Sequence, residues 1–210
     1  MTTSLRHSSL RRSILLGVVA AVVLARPAMA QTAERPDVKV GDRWRFAAYA
    51  TVPSATPNRT WLVTSVGATD IEGTENGEPL RLTRELNVVE TPRDRYSNAR
   101  LLAFPLAVGK RWEYVTEWTF KAKGSAGRAA VVVTVHAYEK VTVPAGAFDA
   151  FRLVASESLS GTSPAGSVYA GETNRTYWYA PAARAIVKSV SHNPYLGPSV
   201  VELVGFEPGP

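Results

Sequence analysis

The stretch Trp112-Glu113-Tyr114-Val115-Thr116-Glu117-Trp118-Thr119-Phe120 decides the fold class. Trp112, Tyr114, Thr116, Trp118 and Phe120 fall on one side, and Glu113, Val115, Glu117 and Thr119 fall on the other. A period of two is that of an extended strand, whose successive side chains point to opposite faces of a sheet. Nine residues at the strand rise span about 30 Å. The aromatic side needs a second layer or a ligand to cover it.

Working outward, Val, Thr, Tyr and Trp recur between closely spaced Gly and Pro residues, and no stretch of a dozen residues carries a 3.6-residue apolar period. Further strands are expected at 43–51, 60–67, 80–89, 99–104, 128–143, 148–158, 173–179, 185–192 and 200–206. Asn76-Gly77, Gly124 to Gly127, Pro144 to Gly146, Gly161 to Gly166 and Asn193-Pro194 supply the turns. Turns this short join antiparallel neighbours, because a parallel crossover needs a dozen or more linking residues. The expected fold is therefore all-β, an antiparallel meander forming a sandwich or a partly open barrel. The segment V-G-x-R-W-x-aromatic occurs twice, from Val40 to Phe46 and from Val108 to Tyr114. It marks either two similar half-sheets or one strand opening used twice.

The start of the chain fixes the compartment. Residues 1–12 hold Arg6, Arg11 and Arg12 and no acid, residues 13–25 are an unbroken run of small and apolar side chains, and Ala28-Met29-Ala30 follows. Charged, apolar and cleavable segments in that order make a signal peptide. The run is short of the ~20 residues that span a bilayer, so no transmembrane anchor is expected after cleavage. The Arg11-Arg12 pair and Arg26 fit twin-arginine export, and the general secretory route fits equally. The expected organisation is residues 1–30 as signal peptide, 31–39 as a flexible mature N-terminus, and 40–206 as a single β domain or two similar halves. The expected location is periplasmic or secreted.

Removing the leader changes the charge balance. The chain has 24 Lys+Arg and 18 Asp+Glu, and four of the basic residues lie in the leader. The remaining 20 basic and 18 acidic residues are interspersed, which excludes the concentrated basic face of a nucleic-acid binder. The chain contains no Cys, so a lipid-modified lipoprotein, a structural disulfide and a Cys nucleophile are all excluded.

Phe104-Pro105-Leu106-Ala107-Val108-Gly109-Lys110-x-Trp112 is followed by Val141-x-Val143-Pro144-Ala145-Gly146-x-Phe148, and then by Tyr177-Trp178-Tyr179-Ala180-Pro181 running on to Val187-Lys188. This order resembles a diffuse family of exported bacterial β-sheet proteins of unknown function. The resemblance covers about residues 38–206. It implies an envelope location and a β fold, and it supplies no catalytic residues.

Chemistry is sparse. After the leader only His136 and His192 remain, and both read as surface or turn histidines. Two histidines without cysteine make no zinc site, and no metal or cofactor is expected. H-E-x-x-H, G-x-S-x-G and both glycine-rich phosphate motifs are missing. Glu113 and Glu117 share a strand face but stand about 13–14 Å apart, too far for a glycosidase pair. The remaining feature is aromatic. Trp112, Tyr114, Trp118, Tyr177, Trp178 and Tyr179 are the candidate ligand-binding residues, with core filling as the competing role. Tyr177 and Tyr179 share a face, and Trp178 points the other way. The expected function is that of an exported, non-enzymatic β domain of the bacterial cell envelope that binds an apolar or lipid-like ligand or a protein partner. The alternative is an envelope hydrolase using Asp/Glu carboxylates without a metal. A pocket with convergent acids would favour the second.

Small residues at Ala28 and Ala30 fit the peptidase cleft, so the exported chain should begin at Gln31. Mass spectrometry of the exported protein checks this; an intact Met1 would remove the leader.

Overall fold

The computed structural model describes residues 31–210 apart from 52, 54, 55, 57, 122, 123, 164 and 194–196. The expected leader lies outside the described residues. Among the described residues fourteen strands follow one another: β1 (Thr32–Ala33), β2 (Arg43–Tyr49), β3 (Arg59–Val66), β4 (Asp70–Glu75), β5 (Glu78–Thr83), β6 (Val88–Glu90), β7 (Asp94–Ser97), β8 (Leu106–Ala107), β9 (Arg111–Phe120), β10 (Ala126–Val143), β11 (Gly146–Thr162), β12 (Val168–Ala180), β13 (Ala185–Asn193) and β14 (Gly197–Glu207). A 3-10 turn, Pro181–Ala183, separates β12 from β13. Twelve strands close into an antiparallel barrel in the order β10-β11-β12-β13-β14-β2-β3-β4-β5-β6-β7-β9, and β1 pairs with β8 beside it. The all-β antiparallel fold is as the periodicity predicts, and the ring is closed by hydrogen bonds rather than partly open.

Closure runs through a strand pair that the periodicity does not show. β7, with the sequence Asp-Arg-Tyr-Ser, pairs Asp94 to Ser97 with Phe120 to Glu117 of β9. β4 is likewise too polar to read as a strand. Its Gly73 lies so close to β3 that a Cβ there would come 2.3 Å from the carbonyl oxygen of Leu62. The expected strand at 80–89 is split into β5 and β6, and the expected strand at 99–104 is irregular. There the buried Asn87 amide takes the place of a neighbouring strand, donating to the Leu102 carbonyl (2.9 Å) and accepting from the Leu102 N–H (2.8 Å). Asn76 and Gly77 both have positive φ, 54° and 88°, as a two-residue hairpin turn between β4 and β5 requires.

β10 and β11 form a long hairpin of 18 and 17 residues. It is longer than one core needs, and it supplies two. On one face Val131, Val133, Val135, Phe151, Leu153 and Leu159 join a cluster with Leu102, Leu106 and Tyr179. Near the hairpin tip the opposite face buries Val141, Val143 and Ala150 in a second cluster with Trp44, Phe46, Ile71, Leu82 and Leu203. Ala150 and Phe151 are adjacent, both sealed, and belong to different cores. The tip is held by the Ala145 N–H, which donates to the Leu203 carbonyl of β14 (3.0 Å). A β-bulge at His136 leaves that histidine exposed and turns Tyr138 inward onto Phe151, with ring centroids 4.7 Å apart. Strict alternation predicts Tyr138 on the exposed face with His136; the extra residue of the bulge reverses it.

The twice-used segment has one geometry in both places. Gly41 and Gly109 have φ of 91° and 88°. The Gly41 N–H donates to the carbonyl of Val63, and Val63 N–H donates to the carbonyl of Asp42 (both 2.9 Å). Gly109, Val135 and Lys110 repeat that pair at 2.8 and 2.9 Å. The following Trp then donates its indole N–H to a distant carbonyl, Trp44 to Ala183 (2.8 Å) and Trp112 to Arg100 (2.7 Å). Residues 31–39, expected as a flexible arm, pair and bury: Thr32 and Ala33 oppose Ala107 and Leu106, and Ala33 and Val38 are sealed. Asp42 anchors this end. Its buried carboxylate accepts from the Lys39 N–H (2.9 Å), the Arg184 guanidinium (2.8 Å) and the Gly209 N–H (2.8 Å).

Trp44 is 1% exposed and stacks on Phe206 at 5.7 Å, whereas Trp112 at the equivalent position is half-buried. Trp44→Ala should cost about 3–5 kcal/mol, a large share of the ~5–15 kcal/mol that holds a domain, and Trp112→Ala should cost distinctly less. Urea melts of both variants test the order; equal midpoints would show that burial does not set it.

Candidate functional site

Strands β9 to β12 present two faces, and the inner one is buried except for a half-buried group at its middle and its far end. Near the hairpin tip its side chains are sealed: Val133, Val135, Phe151, Leu153 and Tyr179. Further along, Tyr114, Glu157, Arg175 and Tyr177 are only half-buried. Register explains their grouping. Tyr114, Val131, Glu157 and Thr173 lie side by side across β9 to β12, and the next row is Trp112, Val133, Ala155 and Arg175. Towards the other end come Thr116, Ala129 and Leu159, all buried, beside Gly171, and then the row Trp118, Gly127, Gly161 and Tyr169. Here the glycines make room for rings. A Cβ at Gly127 would lie 2.2 Å from the Trp118 ring, and one at Gly161 would lie 2.6 Å from the Tyr169 hydroxyl. Gly161, expected in a loop, is therefore part of β11 beneath an aromatic lid.

The centre of this face is ionic. Arg175 Nε lies 3.3 Å from Glu157 Oε1, and Tyr177 is hydrogen-bonded to the same guanidinium. Burial pushes the Glu157 carboxyl up, and Arg175 opposes the shift. Burial also raises Tyr177 and Tyr114 above the usual phenol range. From the closing strand β7, Asp94 and Tyr96 face the same space. Tyr96 is pushed up to about 12, first by burial and then by Asp94, and it lies within electrostatic reach of Arg175, Tyr177 and Arg59. Asp94 is raised by burial, with Glu75 adding to the shift and Arg93 and Arg59 opposing it. Glu75 is buried and tied down, accepting from the Trp61 indole N–H (2.9 Å) beside Arg59 Nε (3.5 Å). Inside the closed ring, half-buried tyrosines thus share the inner face with the Glu157–Arg175 pair and with Asp94.

The six aromatic residues singled out in the sequence do not form one surface. Tyr114, Trp118 and Tyr177 line the lumen. Trp112 shares their face but is held in the wall by Arg100 and by Lys110, whose Nζ sits 5.6 Å from its ring centre. Tyr179 is 1% exposed and packs edge-on against Phe104 at 5.2 Å, as core. Trp178 points to the opposite face, where its indole N–H donates to Glu139 (2.9 Å) and Lys188 stands 6.0 Å from the ring centre. That outer face continues through Lys188 to Glu202 (2.7 Å) and on to the Tyr49 hydroxyl, which donates to Glu202 (2.7 Å). Glu157, Arg175, Asp94 and Tyr96 escaped the sequence reading. The signal for two of them was present: Glu157 interrupts the apolar series Leu153, Ala155, Leu159, and Arg175 precedes Tyr177 and Tyr179 on one face.

A concavity of about 660 Å³ lies on the outer face of the same strands, between the side chains of Glu113, Val132 and Ser156 and those of Val115, Ala130 and Ser158. It is a shallow open trough. Among the described residues no group of three or more His, Asp or Glu is placed to hold a metal ion, and His136 and His192 are both exposed. No helix of the described residues is long and apolar enough to cross a membrane.

No protein-family model matches the chain, and no curated protein matches it by sequence. Solved structures do share its fold. A Bacteroides fragilis protein, described as exported and of YmcC-like fold, aligns with a TM-score of 0.52 at 15% identity over 83% of this chain and 99% of its own. A Parabacteroides distasonis protein, described as a lipoprotein, aligns with a TM-score of 0.54 at 12% identity over 84% of this chain and all of its own. At these identities the likeness is one of fold.

The Glu157–Arg175 pair gives a signed expectation. A carboxyl whose folded-state pKa is raised contributes stability below its unfolded value, about 4.3, and that contribution is lost as pH rises through the folded value. Glu157→Gln removes this loss and should be neutral or stabilising at neutral pH, with its advantage over the parent growing from acid to neutral pH. Arg175→Leu strips the carboxylate of its counter-charge. It should cost about 1–2 kcal/mol at neutral pH, below the 3–5 of a sealed pair because 36% of the Arg175 side chain reaches solvent. Melts of both variants in acid and at neutral pH are the check. Equal destabilisation by both at neutral pH would contradict the raised carboxyl.

Proposed function

We propose that this chain is an exported, non-enzymatic β domain of the bacterial cell envelope that binds a small ligand in its barrel lumen. The observation that carries the reading is a half-buried polar and aromatic group set in an otherwise buried inner face. Half-buried Tyr114, Glu157, Arg175 and Tyr177 interrupt the buried series that runs from Val133 and Leu153 to Ala129 and Leu159 inside a closed ring. Ligand sites combine apolar and aromatic walls with a few placed polar groups, and this lumen has that composition. The leader supports export, and solved relatives in fold described as exported or as a lipoprotein are in keeping with it. An apolar or lipid-like part of the ligand would lie towards Val133, Leu153 and Tyr179. A polar part would meet the ionic centre.

One observation favours the hydrolase alternative. Asp94 and Glu157 face one lumen, and burial holds both carboxyls up, as a general acid requires. Against it, Glu157 and Glu75 are each paired with an arginine.

Native mass spectrometry of the protein recovered from the periplasmic fraction separates the readings. Binding predicts a non-covalent adduct that is lost in Tyr114→Ala. A bare chain, together with ester or glycoside turnover abolished by Asp94→Asn, would replace binding by hydrolysis.

A further inference from the structure

The V-G-x-R-W segment opens two runs of six strands. β2 to β7 follow the first copy and β9 to β14 follow the second, each as an antiparallel meander. In the ring the two runs meet end to end: β7 pairs with β9, and β14 pairs with β2. The last strand of each run therefore closes on the first strand of the other.

The likeness extends well beyond the repeated segment. The Asp42 N–H donates to the Lys39 carbonyl and the Lys110 N–H to the Ala107 carbonyl, both at 3.1 Å. Arg43 and Trp44 oppose Leu62 and Trp61, and Arg111 and Trp112 oppose Thr134 and Val133. Along the next hairpin Val63 opposes Gly73, Thr64 is passed over, and Ser65 and Val66 oppose Glu72 and Ile71. In the second run Val135 opposes Leu153, His136 is passed over, and Ala137 and Tyr138 oppose Arg152 and Phe151. Ile71 then pairs with Leu82, and Phe151 with Tyr179, all four sealed. A second irregularity follows in both runs. Arg81 and Leu82 oppose Glu90 and Val88, so Val89 is passed over; Trp178 and Tyr179 oppose Lys188 and Ile186, so Val187 is passed over.

A bulge is a defined insertion that shifts every pair beyond it. Two bulges at matching positions across five successive strands are not explained by one strand opening used twice, because that opening dictates nothing four strands away. Burial repeats as well. Val40 and Val108 are each 52% exposed, and Val38 and Leu106 before them are sealed. Each run also founds its own core: Val38, Val63, Ile71 and Leu82 lie in one cluster, and their counterparts Leu106, Val135, Phe151 and Tyr179 lie in the other. The copies differ beyond the first bulge, where β10 runs on to Val143 while β3 stops at Val66. We infer that residues 31–98 and 99–210 are two copies of one six-stranded unit, and that they close the ring as the subunits of a dimer would, each unit being the partner that the other's end strands fit.

Circular permutation tests this. Opening the chain between Asn98 and Ala99, and joining Pro210 to Gln31 through a flexible Gly/Ser linker, keeps every residue from Gln31 to Pro210 and reverses only the order of the units. Residues 99–107 then lead the chain, as 31–39 lead the parent. A second permutant uses the same joint but is opened between Asn76 and Gly77, inside the first unit. The Asn98–Ala99 permutant should be a monomer with the parent's β-sheet circular dichroism and a urea midpoint close to the parent's, and the Asn76–Gly77 permutant should unfold clearly earlier. Equal midpoints or the reverse order would overturn the inference. So would failure of the Asn98–Ala99 chain to fold, because units that meet through strand edges do not depend on the order in which the chain visits them. A crystal structure of the parent chain gives a measurement independent of both variants. A single rotation should carry β2 to β6 onto β9 to β13 with both bulges in register; a need for separate rotations for successive hairpins overturns the inference.

Discussion

A strand that buries both of its faces is the constraint on which this structure turns. Side chains alternate along a strand, so a long hairpin can serve two cores only if its faces are used in different places. The β10–β11 hairpin does so. Ala150 and Phe151 stand next to each other and enter separate clusters, as do Ala180 and Tyr179 on β12. The bulge at His136 makes the exchange possible, because one inserted residue turns Tyr138 inward where strict alternation would have exposed it. The ring of twelve strands follows from that shared wall: β2 to β5 and β14 pack on the second cluster, and β7 and β9 complete the enclosure of the first.

Enclosure then creates the chemistry of the lumen. Glu157 and Arg175 on an open sheet would be a solvated surface pair of little consequence. Inside the ring, water is restricted, the carboxyl is held up by burial, and tyrosines from three strands gather around the guanidinium. Paired buried charges of this sort are weak contributors to stability.

The repeated segment shows how one local solution is put to two uses. Gly41 and Gly109 make the same turn, and the same pair of backbone hydrogen bonds ties each copy to a valine. The residue after the glycine then differs. Asp42 is sealed and gathers Lys39, Arg184 and Gly209, which fastens both ends of the chain. Lys110 instead donates to the carbonyls of Ala103 and Pro105 and holds the irregular segment against β9. One position thus fixes the chain ends with an acceptor and a crossing loop with a donor.

Much of the fold was legible. Alternation from Trp112 to Phe120 is a property of neighbouring residues, and so are the turn residues Asn76-Gly77; both are written locally and survive any tertiary arrangement. The sequence by itself determined an all-β antiparallel chain, placed Tyr177 and Tyr179 opposite Trp178, and left no cysteine chemistry to look for. It did not show β4 or β7, whose polar residues become strands only because neighbours offer them backbone partners. Nor did it show the Asn87 amide standing in for a strand at Leu102. The site was half legible. Aromatic residues announce themselves, but register decides that Tyr114, Trp118 and Tyr177 share the inner face. Asp94 lies more than sixty residues from Glu157 and eighty from Arg175. Only closure of the barrel brings them into one enclosed space, because hydrogen bonding between β7 and β9 is long-range and no local pattern encodes it.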